Sequence, residues 1–159
     1  MNLEKMTQAA RRRLLAGLLG GLVLGLGTGD VAWAADSPDH IDRVTVVNAE
    51  QAKQMQEKGV PMIDARVATE YAEKTVKGAI SVPYNEKSGK DVNFDRTKDK
   101  FDLGRLPSDK NAPLIFFCNG GECWKSYKAS VVARDSGYTH VYWMRGGMPE
   151  WTEKGLPTQ

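Results

Sequence analysis

Cys118 and Cys123 share one six-residue window and are the two cysteines of the chain. Gly120 and Gly121 lie between them, and Lys125 and Ser126 follow. The thiolate is the reactive form of cysteine, and a glycine turn lets backbone N–H groups converge on a negative charge. Thiols, glycines and a cation at this spacing therefore suit nucleophilic attack on, or capture of, an anion. Cys118 is the candidate nucleophile, and Asn119, Gly120, Gly121, Glu122, Trp124, Lys125 and Ser126 form the candidate anion-binding loop. The bland alternative for Cys118 is a buried apolar thiol. For Lys125 it is a solvated charge, for Ser126 a helix-start hydrogen bond, and for Trp124 a cover over apolar surface. Cys123 has three readings: a resolving thiol for Cys118, a second carrier, or an inert loop residue. A redox role is preferred, because the two thiols can meet if the loop folds back. Neither histidine stands near in sequence, His40 lying in the N-terminal segment and His140 before a late strand. Two thiols and two distant histidines make no metal set, and no metal or cofactor is expected.

The elements around the thiols must position them. Leu114 to Phe117 is a short apolar run between Pro113 and the glycines, which reads as a buried strand ending at Cys118. Ala129, Val132 and Ala133 recur at helical spacing, and Gly137 stops a helix expected from about Lys125 to Ser136. Strand, thiol, glycine turn and helix in that order aim amides and the positive end of a helix dipole at the sulfur. Upstream, Val44 to Val47 reads as a first strand, and Asn48 caps a helix that Gly59 ends. Val60 to Arg66 reads as a second strand delivering Asp64 and Arg66 to its end, and a short helix follows with Thr69 near its start. A third strand runs from Gly78 to Pro83. A long polar stretch, with one helical turn expected over Asp99 to Leu103, leads to the cysteine strand. Tyr138 to Met144 is a fifth strand, and a last helix is expected over Pro149 to Lys154. Strands alternating with helices imply an α/β fold with a parallel sheet covered on both faces.

Of the 159 residues, the first 34 read as a secretory signal peptide. Lys5 and Arg11 to Arg13 precede an uncharged Leu- and Gly-rich run from Leu14 to Gly29, and Ala32-Trp33-Ala34 is the small-x-small cleavage pattern. A retained anchor is disfavoured, since a span needs about 20 apolar residues and this run has 16 with six glycines. The adjacent arginines leave twin-arginine export open beside the Sec route. The destination expected is the periplasm or the outside of a bacterial cell, with no stable membrane insertion after cleavage. Residues 35–43 are polar and expected to be loose and flexible, and residues 44–159 make one domain. The leader holds four basic and two acidic side chains, so residues 35–159 carry 18 of each. That balance argues against nucleic acid as a partner. A Cys118–Cys123 bridge would close a tiny loop and remove little unfolded-state entropy, so redox chemistry explains such a pair better than stapling.

Three segments in order resemble a single-domain rhodanese. The first carries Asp64, Arg66, Glu70, Tyr71, Gly78, Ala79 and Pro83 in a D-x-R-x-x-x-E-Y…G-A-x-x-x-P arrangement; the second is the strand-end cysteine with its loop and helix. The third carries Gly137, Val141, Gly146, Gly147, Trp151, Gly155 and Pro157. The resemblance covers nearly all of residues 44–158 and implies a five-stranded parallel sheet with helices on both sides. It also implies a Cys118 persulfide, made by attack on a donor's outer sulfur and discharged to a second nucleophile. The partners implied are a small sulfur donor (thiosulfate, polysulfide or a persulfide) and a thiol, cyanide or protein acceptor. Asp64 and Arg66 would support the loop as a structural ion pair. The loop departs from the family pattern. Its C-x4-C-W-K-S sequence is two residues longer than usual, Lys125 replaces an arginine fork with a point charge, and Cys123 adds a thiol. A thiol–disulfide redox protein and a non-catalytic rhodanese-like binding module are the competing functions. The related phosphatases and arsenate reductases fit less well, since they grip an oxyanion with arginine.

Overall fold

A computed structural model describes residues 35–159. The leader expected over residues 1–34 lies outside the described residues. Five parallel strands form one sheet in the order β1-β5-β4-β2-β3: β1 Thr45–Val47, β2 Met62–Asp64, β3 Ile80–Ser81, β4 Leu114–Phe117 and β5 Val141–Met144. Helices α1 Ala49–Glu57, α2 Ala68–Glu73 and α3 Trp124–Asp135 lie between strands, and α4 Gly147–Glu153 follows β5. Among the described residues, no helix is long and apolar enough to cross a membrane.

β4 shows why both faces are covered. Leu114 and Phe116 point into one apolar cluster with Tyr127 and Ala129 of α3 and Trp143 of β5. Ile115 and Phe117 point into the other, with Ala52 of α1 and Met148 and Trp151 of α4. All four β4 side chains are fully buried, as expected of a central parallel strand whose successive residues alternate faces. Asn48 caps α1 as expected, its side chain accepting from Gln51 N–H at 2.8 Å while Gln51 returns the bond to the Asn48 amide.

The polar stretch before β4 holds two 3₁₀ turns, Arg96–Lys98 and Leu103–Arg105, flanking the place where one helical turn was expected. Between them Lys100 is extended and bridges Asn85. Lys128 of α3 anchors this stretch from beneath. Its fully buried ammonium lies 2.6 Å from Glu86 Oε1, donates to Ser88 Oγ and Gly89 O, and sits over the Phe94 ring.

Residues 35–43 differ from the loose segment expected. Ser37 is buried, and its amide and hydroxyl both donate to Gly121 O, at 2.8 and 2.7 Å. Arg145 donates to the carbonyls of Ser37 and Pro38, and Ile41 enters the core. The physical reason is that a polar sequence still carries backbone donors and acceptors, and here they satisfy those of the cysteine loop.

Candidate active site

The C-terminal ends of the parallel strands converge at one edge, the usual place for a site in such sheets. β2 delivers Asp64, β4 delivers Cys118 and β5 leads to Arg145. From Cys118 the chain turns through Gly120 at φ +92°, and Cys123 N–H closes the turn on Gly120 O at 3.1 Å. Cys123 is then the N-cap of α3. The loop thus folds back, so that the Cys118 thiol reaches the Cys123 carbonyl at 3.1 Å.

The turn after β5 pins the loop. Met148 N–H donates to Cys118 O at 2.8 Å. Gly147, at φ +58°, lies so close that a Cβ would meet Cys118 O at 2.2 Å and Gly120 N at 2.6 Å. The Arg145 guanidinium spreads against Gly121, 3.1 Å from where its Cβ would stand. Asn119 is exposed and its amide donates to Glu70 of α2, while Lys90 reaches the Glu122 carbonyl.

The two thiols have opposite surroundings. Cys118 is fully buried. Its sulfur lies 2.9 Å from Ser126 Oγ, 3.4 Å from Ser126 N–H and 3.1 Å from Cys123 O. Burial pushes its pKa well above the ordinary thiol value and Cys123 adds to the rise, opposed by Ser126. Cys123 is partly exposed. Its pKa is pulled down to about 6, chiefly by the Cys118 side chain, against the cost of burial and with help from the Asn119 and Lys125 amides and the Lys125 charge. Both sulfurs are free thiols. Sequence reasoning named Cys118 as the nucleophile and Cys123 as a second redox thiol, and the structure brings both into the one loop at the end of β4.

Trp124 is buried and donates through Nε1 to Ala35 O at 2.8 Å, with its ring edge-on to Tyr127 at 5.1 Å. Lys125 is half-buried and lines a cleft of about 500 Å³ with Val67, Tyr84, Glu86, Lys87 and Lys100. Three lysines on one cleft favour an anionic occupant. Asp64 and Arg66 form a buried pair, Arg66 donating at 2.6 Å to Asp64 Oδ2 and at 2.6 Å to Lys74 O. This pair holds the end of α2, the helix that bears Glu70, and touches neither thiol.

Arg145, Lys128, Ser37 and Gly147 were not singled out from the sequence as site residues. Gly147 stood in the closing motif, but nothing in one sequence says that its partner is the Cys118 carbonyl. Among the described residues, no cluster of side chains could hold a metal ion.

The family model of the rhodanese-like domain matches residues 48–154. The chain is 26% identical over 119 residues to the rhodanese domain-containing protein CG4456 of Drosophila melanogaster, spanning 75% of this chain and 90% of that protein. It is 32% identical over 79 residues to the thiosulfate sulfurtransferase PspE of Escherichia coli, spanning 50% of this chain and 62% of that protein. The solution structure of the polysulfide-sulfur transferase homodimer of Wolinella succinogenes superimposes with a TM-score of 0.53 at 21% identity, over 74% of this chain and 79% of that one. With its sheet order, its strand-end cysteine and this match over most of its length, the chain belongs to the rhodanese-like domain family.

Proposed function

We propose that the protein is a sulfurtransferase that takes sulfane sulfur from a small anionic donor and passes it to a thiophilic acceptor. Thiosulfate and polysulfide are the donor classes, and a thiol, cyanide or a protein thiol is the acceptor. A thiolate of the loop attacks the donor's outer sulfur, the donor's S–S bond breaks, and sulfite or a shortened polysulfide leaves with the bonding electrons. The loop then holds a persulfide whose outer sulfur a second nucleophile removes.

The observation that carries this reading is the position of Cys123. Cys123 stands at the N-cap of α3 without a side-chain capping bond, and its thiol feels the charge of Lys125, which opens onto a cleft shared with Lys87, Lys100 and Glu86. Such a cleft brings an anion to a thiolate that repulsion would otherwise keep away. The names of PspE and of the Wolinella protein support the same donor classes. A cleaved leader over residues 1–34, which the sequence suggests, would put the reaction in the periplasm or outside the cell, and that location is part of this proposal.

The test is intact mass of the reduced, desalted protein before and after thiosulfate or polysulfide, with sulfite and thiocyanate assayed in parallel. Sulfur gain or sulfide release that depends on the loop thiols supports the assignment. A protein that accepts no sulfur from either donor, and releases none as sulfide, is not a sulfurtransferase for these donors.

A further inference from the structure

We infer that the segment before β1 is part of the site: Ser37, braced by Arg145, is a positioning residue that clamps the Gly121 carbonyl and so sets a loop amide to receive the donor's negative charge. The inference rests on the sulfurtransferase reading. It adds to that reading a residue outside the span 48–154 matched by the family model.

Two donors of one residue converge on one acceptor. Ser37 N–H and Ser37 Oγ reach Gly121 O at 2.8 and 2.7 Å, and Ser37 is buried. A carbonyl oxygen has two lone pairs, and Ser37 takes both. Pro38 favours extended backbone at the residue before it, in which N–H and C=O face the same side. Ser37 uses the pair on one loop, its N–H holding Gly121 and its carbonyl accepting from Arg145 Nη2 at 2.6 Å. Arg145 Nε adds a bond to Pro38 O at 2.9 Å, and the guanidinium lies 3.1 Å from where a Gly121 Cβ would stand. Gly121 does not have a positive φ, so it is the room left for Arg145 that calls for glycine there.

The segment is tied down on both sides of the clamp. Behind it, Ile41 enters the core, Val44 N–H donates to Ile41 O at 3.1 Å, and Arg134 donates to Asp42 O at 2.8 Å. Ahead of it, Trp124 of α3 donates to Ala35 O at 2.8 Å. Ser37 is therefore held between the core and the helix that begins at the cysteine loop.

The chemical consequence lies on the other side of the same peptide. The peptide joining Gly121 to Glu122 is trans, so holding Gly121 O against Ser37 turns Glu122 N–H the opposite way. Among the described residues no group accepts from that N–H, and Glu122 is exposed. An oriented loop amide of this kind is a donor for an incoming anion. A flip of the peptide would present the carbonyl oxygen instead, whose partial negative charge repels the same anion. Arg145 adds positive potential, because its two carbonyl partners are neutral and its carboxylate neighbour, Asp36, stands 3.9 Å away and exposed.

The test compares the wild type with Ser37→Ala, Ser37→Thr and Arg145→Met, each reduced, desalted and kept without oxygen. Loading is timed as sulfite release from thiosulfate and as mass gain from inorganic tetrasulfide. Alkylation by neutral iodoacetamide reports access to the loop thiols, amide exchange at Cys123 reports the order of the turn, and a thermal melt gives the folded fraction. Ser37→Ala should slow loading about three- to tenfold, as loss of one ordinary hydrogen bond allows. It should quicken Cys123 exchange and leave alkylation no slower. Ser37→Thr, which keeps the hydroxyl, should restore most of the rate. Arg145→Met should slow loading at least as much as Ser37→Ala, and added salt should narrow its difference from wild type. Loading per folded chain that matches the wild type in both Ser37→Ala and Arg145→Met, whatever the melt shows, overturns the inference while leaving sulfur transfer standing. Alkylation that slows in step with loading also overturns it, since access and not anion binding would then be lost. A wild type that gains no sulfur from either donor removes the sulfurtransferase reading and this inference with it.

Discussion

The indole N–H of Trp143 donates to Ser126 Oγ at 2.9 Å, and the same oxygen lies 2.9 Å from Cys118 Sγ. A core tryptophan on β5 thereby sets the direction in which a helix serine addresses a thiol. The three groups are all buried, so none can substitute water for a lost partner.

Replacing Ser126 by Ala leaves the Trp143 N–H unpaired in the core. The loss should be about 1–3 kcal/mol, the cost of a buried unsatisfied donor. Urea unfolding followed by tryptophan fluorescence measures it. A change near zero would mean that water replaces the hydroxyl.

Alkylation of the reduced protein by iodoacetamide should follow the Cys123 thiolate. With the folded pKa lowered from 9.0 to about 6, the thiolate is lost as pH falls through about 6 and predominates at neutral pH. The rate should rise to a plateau below pH 8, and peptide mapping should find the label on Cys123. A rate still climbing at pH 9 would contradict this.

Changing Lys125 to Ala removes a charge beside Cys123 and one wall of the anion cleft. KM for thiosulfate should rise about two- to fivefold, in line with about 0.5–1 kcal/mol for a partly exposed charge. The alkylation midpoint should move upward in the same variant. Added salt should narrow the difference from wild type, since screening weakens what Lys125 contributes.

Gly147→Ala should open the loop. Its Cβ would stand 2.2 Å from Cys118 O, and φ +58° is already costly for a side chain. A loss of about 2 kcal/mol or more follows from the strain and the clash together. Hydrogen exchange should quicken at Met148, whose amide otherwise donates to Cys118 O.

Lys128→Ala strands Glu86 and Asp99 without their buried cation. Breaking a buried pair from one side costs about 3 kcal/mol, and a thermal melt reads it directly. Lys128→Met, which keeps the volume, still leaves Glu86 without its cation and should also destabilise, although Asp99 keeps its bonds from Tyr84, Lys87 and Ser88.

How far the residues themselves disclosed this site can be judged from Lys128 and Lys125. Both are lysines of one helix. Lys128 belongs to no motif of the sequence, and only the return of residues 86–99 beneath α3 gives it Glu86 and Ser88 as partners. Such long-range meetings leave no local period to read. The sheet was legible because strand runs such as Leu114 to Phe117 are apolar without interruption and bounded by proline and glycine. The loop was legible as a place but not in its depth. Spacing brings Cys118 and Cys123 together, yet which thiol faces outward depends on the turn at Gly120 and on Trp143. The segment before β1 misled for a related reason, since its contacts with Gly121 and Arg145 are made by backbone atoms that every sequence possesses.

Trp143 belongs to β5, the last strand, and β5 pairs with both β4 and β1. Parallel neighbours so distant along the chain are slow to find each other. While the chain is still being made, the Ser126 hydroxyl beside Cys118 lacks its Trp143 partner until Val141–Met144 arrives, and the thiol is not yet enclosed. Its burial is thus the last protection to be installed, and during that interval either thiol can pair with a stranger.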